Sequence, residues 1–155
     1  MQVTDILSSK QGALRTVHPE TPLSACVIQM ADEDLGSLLV VDDHARLVGL
    51  LTFREVIRTL AQRQKELRRG PTPPVAELRV SEVMERAPIS ATPDMELQPL
   101  RAMMIRHHQR YLPVLDGGRL VGVVSFHDIA KSVYEEQQFE NRMLKAYIQD
   151  WPAET

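Results

Sequence analysis

Two short patterns carry the chemistry that this chain can offer. Thr52-Phe53-Arg54-Glu55 and Ser125-Phe126-His127-Asp128 each set a hydroxyl three residues before a carboxylate, with a basic or titratable side chain between them. Each hydroxyl closes an apolar run and precedes a stretch of helical period. At such a strand-to-helix junction, unpaired amides and the helix dipole favour an anion such as phosphate, and a hydroxyl adds one more donor. A carboxylate one turn later can accept from both hydroxyls of a diol at once. The same spacing also writes the capping box, in which hydroxyl and carboxylate each satisfy a backbone amide. Ligand and cap both remain open at this point.

Other reactive groups point away from catalysis. Arg106, His107, His108 and Arg110 lead into Leu112-Pro113-Val114, whereas the matching segment of the first half is Asp32-Glu33-Asp34. One cleft is therefore expected to suit an anion better than the other, although cations are also favourable at a helix C-terminus for their own sake. Adjacent histidines diverge, and His107-His108 has no further ligand at a metal-site spacing, so no metal is expected. The chain contains no G-x-S-x-G and no P-loop. Its single cysteine, Cys26, lies on an apolar helical face and reads as a buried thiol; it also excludes an internal disulfide. No catalytic residue is expected.

The elements that must position these groups are written twice. Leu47-Val48-Gly49-Leu50-Leu51-Thr52-Phe53-Arg54-Glu55 returns as Leu120-Val121-Gly122-Val123-Val124-Ser125-Phe126-His127-Asp128. Ser37 to Asp42 answers Tyr111 to Asp116, Pro19 to Leu23 answers Pro93 to Leu97, and Val3 to Leu7 answers Val80 to Met84. Leu23, Cys26, Val27, Met30 and Ala31 fall on one helical face, ended at Gly36. The predicted order in each unit is strand, helix, strand, strand, helix, with a first strand at Leu14 to Val17 or around Ile89, and a hairpin at Gly117-Gly118. The expected division is residues 1–69 for the first repeat, 70–79 for a linker containing Pro71 to Pro74, 80–134 for the second repeat and 135–155 for a helical extension. Units this small need each other to bury a core, and the clefts between them are where a ligand would sit.

At 155 residues, 43% hydrophobic and 5% aromatic, the chain has enough aliphatic material for that shared core. A net charge of −3 argues against a nucleic-acid polymer or an anionic membrane as partner. No apolar run reaches spanning length and no targeting motif is visible, so the cytoplasm is the expected location. Beyond Glu135-Glu136-Gln137-Gln138, residues Phe139, Met143, Leu144, Tyr147, Ile148 and Trp151 form a fresh apolar stripe, for which a second subunit is the favoured cover.

The repeated G-h-h-[ST]-x-x-[DE] motif and the Leu112-Pro113-Val114-Leu115-Asp116 run, in this element order, resemble a tandem cystathionine-β-synthase (CBS) domain, the Bateman module, from about Val3 to Val133. The tail through Glu136-Gln137, Glu140-Asn141 and Leu144 to Ile148 is similar to that of stand-alone bacterial CBS-pair proteins. The resemblance implies an α/β fold of two β-α-β-β-α repeats related by a pseudo-two-fold axis, with an extended C-terminal helix. It implies a non-catalytic sensor for an adenine nucleotide of the AMP, ADP, ATP, NAD or S-adenosylmethionine class, with no obligatory cofactor. Ser125 would meet phosphate and Asp128 the ribose, with Arg110, His127 and also His108 near the phosphates and the base against Ile89 and Pro113. Thr52, Glu55 and Arg54 are the equivalents in the other cleft, where Glu stands in place of the family's usual Asp. Binding would alter the angle between repeats, or between subunits of a homodimer, and signal to an unidentified regulated protein. The competing expectation is a structural interaction and dimerisation module with empty clefts, suggested by Glu55, Arg101 and Gln109.

Overall fold

The computed structural model describes residues 1–10, 14–67, 74 and 77–150. The first half runs α1 (Val3–Ser9), β1 (Thr16–Val17), α2 (Leu23–Asp32), β2 (Ser37–Val41), β3 (Leu47–Thr52) and α3 (Phe53–Leu67). The second runs α4 (Val80–Val83), β4 (Glu85–Arg86), α5 (Leu97–Arg106), β5 (Tyr111–Asp116), β6 (Arg119–Ser125) and α6 (Phe126–Gln149). Each half is thus α/β and opened by a short helix; the first follows the expected order, and the second departs from it at its first strand. Of the proposed connector Pro71 to Pro74, and of Gly70, only Pro74 lies within the described residues.

In the first sheet β2 pairs parallel with β1 and antiparallel with β3, in the order β1-β2-β3-β4. The second sheet is the β5-β6 hairpin, turned by Gly117 at φ 57° and Gly118 at φ 85°, values that an L side chain resists. The strand expected around Ile89 contracts to one parallel bridge, Ala91 with Val114. Ala87 stands at φ 48° and Pro88 has no amide to donate, so the extended run starts late.

Gly36 does not end α2, contrary to expectation. Asp34 takes the left-handed position at φ 53°, and the Leu35 amide returns to the Met30 carbonyl at 2.9 Å. The second repeat repeats this ending with His108 at φ 53° and Gln109 donating to Met104 at 2.9 Å. Gly36 serves space instead: a Cβ there would collide with the Tyr111 hydroxyl.

The cores cross the order of the chain. Val3 and Ile6 of α1 are buried among Leu97, Leu100, Met104, Leu112, Val124 and Ile129 of the second repeat. Val80 of α4 is buried among Leu23, Cys26, Met30, Leu38 and Leu51 of the first. β4 likewise joins the first repeat's sheet through Leu50 and Gly49. Each opening helix therefore completes the core of the other repeat. Beyond the repeats α6 runs on to Gln149, and Phe139, Met143, Leu144 and Ile148 remain 57–62% exposed, with no cover from the described residues. Trp151 lies outside the described residues.

Candidate functional site

At the start of α6 the capping box is formed. The Ser125 amide donates to Asp128 Oδ2 at 2.8 Å, and the Asp128 amide donates to Ser125 Oγ at 3.0 Å. Lys10, just past the end of α1, donates to the same Asp128 oxygen at 2.9 Å and to the Val123 carbonyl at 2.8 Å. Burial disfavours charge on Asp128, but the Lys10 and Ser125 hydrogen bonds outweigh it and hold the carboxyl below its ordinary range. Both side-chain bonds fall on Oδ2, and a carboxylate has a second oxygen that can accept.

The matching motif of α3 is wired differently. The Thr52 hydroxyl donates to Glu55 Oε2 at 2.6 Å and accepts from the Arg54 amide at 3.2 Å. Glu55 is buried, which pushes its carboxyl above the usual range despite that hydroxyl, and the nearby Glu85 charge acts the same way. The extra methylene that distinguishes Glu from Asp lets the carboxylate reach the hydroxyl itself.

Two clefts lie between the repeats, each built from both. The Ser125 cleft, about 380 Å³, has Lys10, Arg15 and Ser125 among apolar Leu7, Leu14, Leu39 and Val121. The Thr52 cleft, about 440 Å³, has Thr52, Arg54, Arg58 and Arg110 beside Phe53, Ile57 and Tyr111. It adjoins a wider groove, about 750 Å³, that Glu55, Glu85 and Gln109 help to line. The segment before each repeat's hairpin faces the other repeat's motif: Leu35, Gly36 and Ser37 line the Ser125 cleft, and Gln109, Arg110 and Tyr111 line the Thr52 cleft.

That crossing redistributes the residues expected at one site. Arg110 gives its backbone carbonyl to the Phe126 amide at 2.8 Å, beside Ser125, yet the residue lines the Thr52 cleft and not the Ser125 cleft. Arg54 spans the repeats, its guanidinium donating to the carbonyl of His108. His108 therefore contributes a carbonyl at a helix end, and His127 is exposed on the first turn of α6. Pro113 is buried in β5 and Ile89 packs at the edge of the second core; neither is among the residues lining the three clefts. Of the acidic segment, Glu33 pairs at 3.2 Å with Arg15, a residue that lines the Ser125 cleft, while Asp32, Glu33 and Asp34 are not themselves among its lining residues. The cleft expected to be the more basic is the less basic of the two.

A family model for the CBS domain matches the chain twice, over residues 3–62 and 80–135. The chain belongs to the CBS domain family. A CBS domain-containing protein of Bacillus subtilis, YhcV, is 35% identical over 116 residues, which are 74% of this chain and 75% of that protein. CBSX2, solved in complex with AMP, superposes with a TM-score of 0.71 at 20% identity, covering 88% of this chain and 98% of that one. The CBS domain pair of protein MJ0100, solved with 5′-methylthioadenosine and S-adenosyl-L-methionine, gives 0.73 at 24% identity, with 88% and 98% covered. At these identities the two structures share the CBS-pair fold.

Four cleft residues escape sequence reasoning about the CBS motifs. Arg58 had a signal, standing one helical turn after Arg54 on the same face. Lys10, Arg15 and Tyr111 had none: Lys10 reaches the Ser125 cleft at the end of the exchanged helix α1, and Arg15 and Tyr111 reach clefts whose walls come from both repeats. Burial pushes the Cys26 thiol up to about 11, as suits an inert core residue. Among the described residues, no cluster of metal-ligating groups is present and no helix is long and apolar enough to cross a membrane.

Proposed function

We propose that this chain is a non-catalytic regulatory module that binds an adenine nucleotide in the clefts between its repeats. The observation that carries this reading is the Thr52 cleft. There a hydroxyl at the N-terminus of a 15-residue helix faces three arginines, two from α3 and one from the opposite repeat. Amides, dipole and guanidinium groups together favour phosphate oxygens, and Phe53, Ile57 and Tyr111 offer apolar surface for a base. CBS-pair neighbours hold AMP or S-adenosylmethionine and its thioether relative, which supports the adenosine class. The motif carboxylates are each committed to a neighbouring hydroxyl, amide or ammonium group, so they serve as acceptors rather than proton carriers.

The Ser125 cleft is the second ligand position in this proposal. Lys10 and Arg15 supply its positive charge; Asp128 is not among its lining residues, and its second carboxylate oxygen would meet a ribose only from beside the cleft, next to Ser125 and Lys10. A ligand bridging the two repeats changes their angle, and the exposed stripe on α6 gives a second copy of the chain a surface on which to register it.

Calorimetric titration with AMP, ADP, ATP, NAD and S-adenosylmethionine tests the reading. A charge-assisted hydrogen bond contributes about 1.5–3 kcal/mol, so Arg110→Ala is expected to weaken binding roughly 10- to 100-fold, and more for ATP than for AMP. Equal affinity in the variant would remove phosphate from the Thr52 cleft. A second reading, an assembly module with empty clefts, has one observation in its favour: Asp128 already serves as a cap and as the partner of Lys10. Absence of any rise in melting temperature at saturating nucleotide would select it.

A further inference from the structure

Among the described residues, Tyr111 alone lines both the Thr52 cleft and the Ser125 cleft. It opens β5 opposite Ser125 in the register, and its hydroxyl end lies against Gly36 of the first repeat. Gly36 has no positive φ to explain a glycine, so the space that it leaves is what matters there. The pseudo-symmetric position, opposite Thr52, holds Ser37, which is too short to cross between repeats. The division between the clefts is therefore one-sided: a single rigid ring, given by the second repeat and seated on a glycine of the first.

We propose that Tyr111 is the partition between two halves of one trough and thereby restricts each half to a ligand of mononucleotide size. This rests on the reading of the clefts as nucleotide sites. Volumes of about 380 and 440 Å³ fall near the lower end for small-molecule sites, so each half alone is short for a dinucleotide. Removing the ring takes away the one residue that the two linings share, leaving Lys10 and Arg15 in one half and Arg54, Arg58 and Arg110 in the other as cations for a pyrophosphate bridge.

The test compares AMP and NAD by calorimetry on the full chain carrying Tyr111→Phe, Tyr111→Ser or Tyr111→Val, the last keeping a good strand former should the serine variant fold poorly. The affinity ratio of NAD to AMP is expected to rise at least tenfold with serine or valine and to stay at the native value with phenylalanine. A native ratio in the serine and valine variants overturns the partition. A second arm needs no ligand. Gly36→Ala is expected to lower the melting temperature by roughly 3 °C or more with Tyr111 present, through the collision with the ring, and to cost less than half of that in the Tyr111→Ser background. If neither nucleotide binds any variant, the nucleotide reading fails. The partition then stands on this cycle alone, upheld by loss of the Gly36→Ala effect and overturned by its persistence.

Discussion

At Asp128 burial works against the charged form, yet the hydrogen bonds from Lys10 and from the Ser125 amide leave its carboxyl below the ordinary carboxylate range. Glu55, in the matching place, goes the other way because burial dominates and Glu85 adds to it. The consequences for stability have opposite sign. A depressed pKa means that Asp128 stabilises the fold above its unfolded pKa, and that this contribution disappears as pH falls through the folded value. A raised pKa means that Glu55 favours the fold when protonated, and that its contribution is lost as pH rises through the folded value. Asp128→Asn should therefore cost about 1 kcal/mol in urea unfolding near neutral pH, since the partly exposed ion pair with Lys10 is lost and the acceptor of the Ser125 amide becomes neutral. The gap should close as pH falls through the depressed folded value, where the native carboxyl itself becomes neutral. Glu55→Gln should gain stability relative to the native chain as pH is raised over the acidic range. If both variants drift in the same direction with pH, the different wiring of the two motifs is wrong.

The opening helices α1 and α4 are the elements that make two repeats into one fold. Val3 and Ile6 are 0% and 1% exposed, and the residues around them belong to the second repeat. Ile6→Ala removes a buried branched side chain from a site that its own repeat cannot repack, so a loss of about 2–5 kcal/mol is expected in denaturant unfolding. Less than about 1 kcal/mol would mean that α1 only rests on the surface. The helical spacing of these segments was legible in the sequence, as were the hairpin at Gly117-Gly118 and the duplicated order. Which core the helices enter was not legible, because an amphipathic turn states that one face is buried and is silent on the partner. Gly36 misled for a related reason. Glycine is the usual residue after a helix, but Asp34 tolerates the left-handed position, and the glycine was needed two residues on for a contact from the other repeat. Arg110 shows the same limit at the site: its type announced an anion, while its cleft depended on the crossing of segments.

Across the whole molecule, exchange leaves neither repeat with a complete core. The first repeat lacks Val80 and the strand β4 without the second, and the second lacks Val3 and Ile6 without the first. Loss of either set exposes apolar surface on both sides, so the halves should not melt apart even though the sequence separates them cleanly. The clefts lie along the same seam, with walls drawn from both repeats. A ligand there stabilises the joined state alone, and its effect must appear on the molecule as a unit. Scanning calorimetry is expected to give one transition with equal calorimetric and van't Hoff enthalpies. Ile6→Ala and Val80→Ala, placed in different cores, should both move that single peak downward. A nucleotide at about a hundred times its dissociation constant should raise it by roughly 5–10 °C for a chain of this size. Two peaks, each sensitive to one substitution only, would mean independent repeats, and a ligand in the seam between them could then carry no signal from one half to the other.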